Sequence, residues 1–181
     1  MAVLFPHDQV EIHGYSRLVA DLAGMTPGVF LGRISRGFNL RRVTPDGQAE
    51  FHAPGGGSGV VRLFRMYLGG EWYELRRPRE PSVPGAVPLL DVQVLQDGIL
   101  GPLLGIRDPR DDPRLQFLGG SRRAADLEKR VDDGEFAVAF SLQPVRIDEV
   151  MATADAGGIM PPKSTWFEPK LKSGLLVHPL D

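Results

Sequence analysis

Two consecutive glycines, Gly69 and Gly70, constrain the fold of this chain more than any other feature of its sequence. They separate two runs of strand-forming residues, 60–68 and 71–77. Both glycines can take the positive φ angles of a two-residue primed turn without steric cost. The pair therefore predicts an antiparallel hairpin, whose two strands lie side by side in a sheet.

The rest of the chain mixes helical and strand-like spacing of apolar residues. Leu18, Val19 and Leu22 have helical spacing, so we expect a helix over 14–24 that ends at Gly24. The other predicted helices span residues 26–37, 91–100, 121–131 and 147–156, and the other predicted strands span residues 10–13, 38–43, 115–118, 136–142 and 174–178.

Several helix boundaries carry their own chemical signals. Thr26 suits the N-cap of its helix because Pro27 follows at the first helical position. Asp91 and Ser121 are expected to cap the starts of theirs. Pro102 has no N–H to donate, so we expect the helix that begins at Asp91 to break there.

Helices and hairpins in this order predict one α+β domain over residues 1–181, with a mostly antiparallel sheet and several packing helices. A length of 181 residues corresponds to about one domain. Two segments rich in glycine and proline, about 44–59 and 78–88, are predicted to be loops.

Composition excludes several classes of protein. The chain has no cysteine, which excludes disulfides, a cysteine zinc site and a thiol nucleophile. Its four histidines lack the spacing of a metal site. The start of the chain does not resemble a signal peptide and no apolar run could span a membrane, so we expect a cytoplasmic protein without a membrane partner.

Charge gives little support for nucleic-acid binding. The chain carries 21 Lys and Arg against 23 Asp and Glu. Residues 31–79 contain nine Arg and four acidic residues, a local excess of 9 − 4 = +5. With no other sign of a basic footprint, we do not expect a nucleic-acid partner.

Two segments could bind an anion. Residues 119–123, Gly-Gly-Ser-Arg-Arg, precede a predicted helix, whose free N–H groups and nearby cations favour phosphate, although ordinary serine capping explains the same pattern. Residues 160–170, Met-Pro-Pro-Lys-Ser-Thr-Trp-Phe-Glu-Pro-Lys, combine rigid prolines with Lys163, Lys170 and the hydroxyls of Ser164 and Thr165. That combination suits an oxyanion or a nucleotide phosphate, and the alternative is a stiff loop docked by its aromatic residues.

Long stretches of the chain closely resemble a known family, in order and apart from the two loops. These stretches read FPHDQVEIHGYSRLVADLAG, RMYLGGEWYELR, LLDVQVLQDGILGPLLGI, LQFLGGSRRAADLEKRVDDGEFAVAFSL and VMATADAGGIMPPKSTWFEPKLKSGLLVHPLD. They resemble the C-terminal half of the prokaryotic domain-of-unknown-function family one thousand and fifteen. The chain has Ser16 and Ala23 where members of that family usually have asparagine.

The resemblance implies that a longer protein exists around such a segment. Family members are typically more than twice as long, and their N-terminal half carries an Asp-Gly-His-His-Arg motif similar to the phosphate-binding box of the ParB and sulfiredoxin-like superfamily, which includes free-serine kinases. No His-His pair occurs in this sequence. We therefore expect the C-terminal portion of a kinase-like protein, with no catalytic residue of its own and no activity alone.

In this interpretation the chain forms a wall of the substrate cleft in a small-molecule kinase acting on serine or a similar compound. ATP or ADP with Mg would be cofactors of the full-length protein, and the small-molecule substrate would be reached through the N-terminal half. The candidate phosphate- or substrate-binding residues are Lys163, Ser164, Thr165, Lys170, Arg17 and Asp21. The alternative is a noncatalytic module for binding or for forming a homodimer.

Overall fold

The computed structural model describes residue 6 and residues 9–44, 61–81, 85–120 and 124–170. The elements in chain order are β1 (Glu11–His13), β2 (Tyr15–Val19), α1 (Pro27–Ile34), β3 (Asn39–Val43), β4 (Val61–Leu68), β5 (Glu71–Pro78), α2 (Asp91–Leu95), a π-helical segment (Gln96–Leu100), α3 (Gly101–Leu104), β6 (Leu115–Gly119), α4 (Ala124–Asp132), β7 (Val138–Leu142), α5 (Ile147–Asp155) and β8 (Trp166–Glu168).

The predicted hairpin is confirmed. Gly69 and Gly70 have φ angles of 59° and 82° and connect β4 directly to β5. Leu68 pairs with Glu71 across the turn, and the ladder continues to Val61. Positive φ at both central residues is the geometry that the two glycines allow.

Six strands form one antiparallel sheet in the order β3-β5-β4-β7-β2-β6, and β1 pairs with β8 in a separate two-stranded sheet. The strand predicted over 136–142 is confirmed as β7, which lies between β4 and β2. The predicted α+β class with a mostly antiparallel sheet is confirmed.

Helices cover both faces of the six-stranded sheet. On one face, a first core cluster joins Phe64 and Phe140 of the sheet to Phe30 of α1 and to the helical segment 91–104. On the other face, a second cluster joins sheet residues to Leu127 of α4. Burial of both faces explains why β7 is almost continuously apolar.

The helix predicted over 14–24 is wrong, because residues Tyr15–Val19 form strand β2. Leu18 belongs to the second core cluster and Val19 to the first, so the two neighbours point to opposite faces of the sheet. A strand buried on both faces needs apolar residues at adjacent positions, and here that requirement imitates helical spacing.

The chain continues as a helix past its predicted break at Pro102. A π-helical segment precedes that residue, and the N–H of Gly101 donates to the carbonyl of Gln96, five residues back. This wider turn lets the helix continue although Pro102 has no N–H to donate. The helix ends instead at Gly105, whose φ is +71°. Asp91 is not the N-cap, since Leu90 occupies that position.

The remaining assignments fall into two groups. The helices predicted from Thr26 and over 147–156, and the strands predicted over 38–43 and 115–118, are confirmed as α1, α5, β3 and β6. Some predictions lie outside the described residues: most of the 44–59 loop, positions 82–84, the capping role of Ser121 and the strand over 174–178.

Candidate anion-binding site

The site forms where the beginning of β2 meets the segment 160–170. Pairing of β1 with β8 places His13 opposite Trp166, and this brings the Trp166 indole against the ring of Tyr15. The two ring centroids are 5.5 Å apart with an interplanar angle of 66°, an edge-to-face arrangement. These two rings form an aromatic platform at the edge of the sheet.

Glycine is required beneath this platform. Tyr15 pairs with Gly119 at the end of β6. A Cβ atom on Gly119 would lie 2.5 Å from Cε1 of Tyr15 and closer still to Cε3 of Trp166, and the following Gly120 has a φ of +87°. The structure therefore joins the two segments that the sequence marked as separate anion candidates, 119–123 and 160–170, through residues 119–120.

Arg17 lies under the platform and is 4% exposed. Its Nη1 donates to the Tyr15 carbonyl at 2.7 Å and its Nη2 to the Lys163 carbonyl at 3.2 Å, while the guanidinium carbon lies 5.4 Å from the Phe117 ring centroid. Among the described residues no carboxylate lies within salt-bridge distance of Arg17. Burial lowers the pKa of Arg17 to about 10, so the group is still charged at neutral pH.

Two lysine ammonium groups lie on the platform. Lys163 Nζ is 5.8 Å from the Tyr15 ring centroid, and Lys170 Nζ is 3.2 Å from that of Trp166. The backbone of Lys163 has a φ of +55°, a left-handed conformation that is costly for a residue with a side chain. We call Tyr15, Arg17, Lys163, Trp166 and Lys170 the aromatic–lysine site.

Two carboxylates lie beside His13 in the surroundings of the platform: Oε2 of Glu11 is 3.8 Å from Nε2 of His13, and the second carboxylate belongs to Glu168. Its Oε1 accepts a hydrogen bond from Nε1 of Trp166 at 2.9 Å, and its Oε2 lies 3.3 Å from Nε2 of the buried His13. Glu168 thereby fixes the orientation of the indole. The three cations of the aromatic–lysine site exceed these two carboxylates, so the site favours an anion.

The structure brings together most of the candidate residues. Lys163, Lys170 and Arg17 meet at the platform, and Ser164 is buried beside them, where its Oγ donates to the Pro161 carbonyl at 2.6 Å. Thr165 lies half-buried in the same segment.

Asp21 is not brought to this cluster. It follows the far end of β2, where its Oδ1 accepts a hydrogen bond from the Ala23 N–H at 2.8 Å and lies 3.6 Å from Arg114. At about 3.3 Å per residue, a strand separates positions 17 and 21 by roughly 13 Å. The functional role of each candidate residue stays a prediction.

Sequence reasoning missed two members of the surroundings, Tyr15 and His13. Tyr15 and Arg17 are two residues apart, a spacing that places both on one face of a strand. Reading residues 14–24 as a helix concealed this signal. The pairing of His13 with Trp166 joins positions far apart in sequence, and no local pattern indicates it.

Two features are absent from the described part of the chain. No group of three or more histidine or acidic side chains there could hold a metal ion. No helix there is long and apolar enough to cross a membrane.

Comparisons with known proteins give one family match and several likenesses of shape. The family model described as "Protein of unknown function (DUF1015)" matches residues 1–93, which is 93 of 181 positions. No curated protein matches the chain. The resemblance noted for residues 94–181 therefore stays a prediction.

Among solved structures, a point mutant of free serine kinase in complex with AMP has a TM-score of 0.49 and 13% identity, over 89% of this chain and 55% of that one. Free serine kinase in complex with AMP has a TM-score of 0.47 and 15% identity, over 89% of this chain and 55% of that one. A conserved hypothetical protein from Pyrococcus furiosus has a TM-score of 0.48 and 16% identity, over 88% of this chain and 56% of that one. The chain thus spans about half the length of these structures. Likenesses at this level carry no information about activity.

Proposed function

We propose, for a chain that belongs to the DUF1015 family, that the aromatic–lysine site holds a phosphate group and that the chain forms a substrate-cleft wall of a small-molecule kinase. The sequence resemblance implies serine or a similar hydroxy compound as the substrate, and ATP or ADP with Mg as the phosphate donor. The chain alone contains no Asp-Gly-His-His-Arg motif. We therefore expect it to bind a phosphate group but not to catalyse turnover of a substrate.

One observation carries this proposal: the buried guanidinium of Arg17 has no carboxylate partner among the described residues. Removing a charge from water is costly unless a group of opposite charge compensates it. The two carbonyl oxygens that Arg17 contacts satisfy part of its hydrogen-bonding capacity but carry no net charge. A phosphate near the platform would supply the missing negative charge.

Each cation has a distinct part in this arrangement. Lys163 and Lys170 are exposed, so their ammonium groups can contact the phosphate directly. Arg17 holds the Lys163 carbonyl and contributes its charge from below. Phosphoryl transfer depends mainly on positioning and on neutralising phosphate charge, and this is what such a cleft wall supplies.

Titration of the chain with ADP tests the proposal. Binding is measured by calorimetry, and independently by the fluorescence of Trp166 in a Trp72→Phe background. We expect saturable binding that weakens about tenfold or more in Lys163→Ala, because a charge-assisted hydrogen bond contributes roughly 1.5–3 kcal/mol. Lys129→Ala is the matched control, since Lys129 lies on α4 and pairs with Asp133. Absence of binding at millimolar ADP, or equal weakening in the control, refutes the phosphate site.

A second candidate function, a noncatalytic binding or dimerisation module, is favoured by a different observation. The hydrogen bonds of Arg17 and Ser164 go to backbone carbonyls, as in a loop whose polar groups serve only its own folding. The double variant Lys163→Ala/Lys170→Ala in a full-length relative separates the two ideas. Loss of turnover with the fold intact supports the kinase cleft, and unchanged turnover supports the module.

A further inference from the structure

A second group of cations lies away from the aromatic–lysine site. Arg41 Nη2 and Arg76 Nη2 each lie 2.8 Å from the same oxygen of Glu74, Oε2, and Nε of Arg76 lies 3.2 Å from it. Nη2 of Arg65 is 3.6 Å from the other oxygen, Oε1. We call these four residues the Glu74 cluster.

Strand register produces the cluster. Arg41 of β3 and Arg65 of β4 both pair with Glu74 of β5, so the three residues form one row across three strands. Adjacent strands are about 4.8 Å apart, which puts the two arginine positions roughly 10 Å from each other. Arg76 lies two residues beyond Glu74 on the same face of the sheet.

The cluster and the aromatic–lysine site lie on opposite faces of the sheet. Trp72, two residues before Glu74, belongs to the second core cluster. Val19, two residues after Arg17, belongs to the first. Because side chains alternate along a strand, Glu74 shares the face of Trp72 and Arg17 shares the face of Val19. An anion at one site would not contact the other.

The carboxylate lies beneath its guanidinium groups. The Glu74 side chain is 7% exposed, whereas those of Arg41 and Arg76 are 61% and 47% exposed. Burial raises the pKa of Glu74, but hydrogen bonds and charge from Arg41 and Arg76 outweigh burial and bring it below its ordinary value. One ionised carboxylate therefore orients two exposed guanidinium groups whose combined charge it only half neutralises.

The positive charge is compact and does not extend along the chain. Of the nine arginines within 31–79, Arg62, Arg77 and Arg79 pair with acidic residues beyond that segment, and Arg42 pairs with Glu71. The three acidic partners beyond the segment reduce the local excess counted from the sequence from +5 to +2, and Glu71 is already included in that count. The geometry suits a small anion better than a polymer, which needs a longer basic track.

We propose that the Glu74 cluster is a second oxyanion site that takes a compact anion with two or more negative charges, such as pyrophosphate or a phosphate monoester. Arginine suits this ligand because its planar fork can donate two parallel hydrogen bonds to an oxyanion. Each guanidinium has five N–H donors. Arg41 donates one of them and Arg76 two to Glu74. Glu74 holds the two forks close together before the ligand arrives.

Sodium pyrophosphate is the probe, and the 181-residue chain carrying Lys163→Ala and Lys170→Ala is the protein. This background removes the lysines of the aromatic–lysine site, so the result is independent of the proposed function. Calorimetry gives the Kd, and amide resonances of residues 39–43 and 74–76 report the location. We expect one molecule bound, with the Kd raised about tenfold or more in Arg41→Ala or Arg76→Ala.

Arg42→Ala is the matched control. Arg42 lies next to Arg41 in β3, its side chain is 71% exposed, and it pairs with Glu71. Its replacement removes the same charge from the neighbouring position, and we expect an unchanged Kd. Arg41→Lys, which keeps the charge but loses the fork, serves if an alanine variant does not fold, and we expect it to weaken binding.

Three results would overturn the proposal. The first is the absence of pyrophosphate binding at millimolar concentration in the folded chain. The second is an equal loss in Arg42→Ala, which would reduce the effect to net charge. The third is tighter binding of a single-stranded oligonucleotide with a steep dependence on salt, because that would make the ligand a nucleic acid.

Discussion

Replacement of Lys163 by glycine should strengthen the fold while it weakens anion binding. The left-handed φ of +55° costs a residue with a side chain roughly 1–2 kcal/mol, and glycine avoids this cost. Glycine loses more chain entropy on folding, by about 0.5–1 kcal/mol relative to alanine. The net gain of Lys163→Gly over Lys163→Ala is therefore about 0.5–1 kcal/mol, or a Tm higher by roughly 1–4 °C for a chain of this size.

Comparison of the two variants separates backbone strain from charge. Both lack the ammonium group, so calorimetry with ADP should show the same weakening in each. Urea denaturation should show the glycine variant to be more stable than the alanine variant. If the alanine variant equals or exceeds the glycine variant in stability, the left-handed backbone imposes no cost. In that case the backbone of Lys163 holds no strain that glycine relieves.

Three further predictions concern stability. Gly119→Ala should lower the free energy of unfolding by about 1–3 kcal/mol through overpacking, whereas Gly28→Ala, with open space around it, should be neutral or slightly stabilising; urea melts of both check this. Arg62→Ala should cost about 3 kcal/mol because it breaks a buried ion-pair network, while Arg77→Ala at the exposed edge of that network should cost under about 1 kcal/mol; equal values would contradict the assignment. The depressed pKa of Glu74 means that its ionised form adds stability above the ordinary value of 4.5, and that this stability is lost as the pH falls through the lower folded value. Glu74→Gln should therefore make unfolding less pH-dependent in acid, and an unchanged acid profile would disprove this contribution.

Local signals predicted the parts of this fold that local chemistry determines. The turn at Gly69 and Gly70, the Thr26 cap and the apolar strand β7 each depend on neighbouring residues, and all three are confirmed. The strand β2 was misread because only tertiary packing places its two faces in different cores. No local pattern distinguishes that case from a short helix.

The candidate site was predictable only in part, for a related reason. Lys163 and Lys170 stand out because rigid prolines surround them in the sequence. Their relation to Tyr15 and Gly119 depends on strand register between distant segments, which no spacing rule encodes. The Glu74 cluster was not predicted because it depends on the pairing of β3 with β5, which places Arg41 opposite Glu74 and which no local pattern encodes.

The hydrogen bond from Arg17 to the Lys163 carbonyl spans 146 positions of sequence, and the pairing of Glu11 with Glu168 spans 168 − 11 = 157. Contacts this distant are slow to form, because the entropy of closing the loop is lost before the contact can stabilise anything. The β4–β5 hairpin needs no such closure. We therefore expect the aromatic–lysine site to assemble late in folding, after these two distant segments have paired.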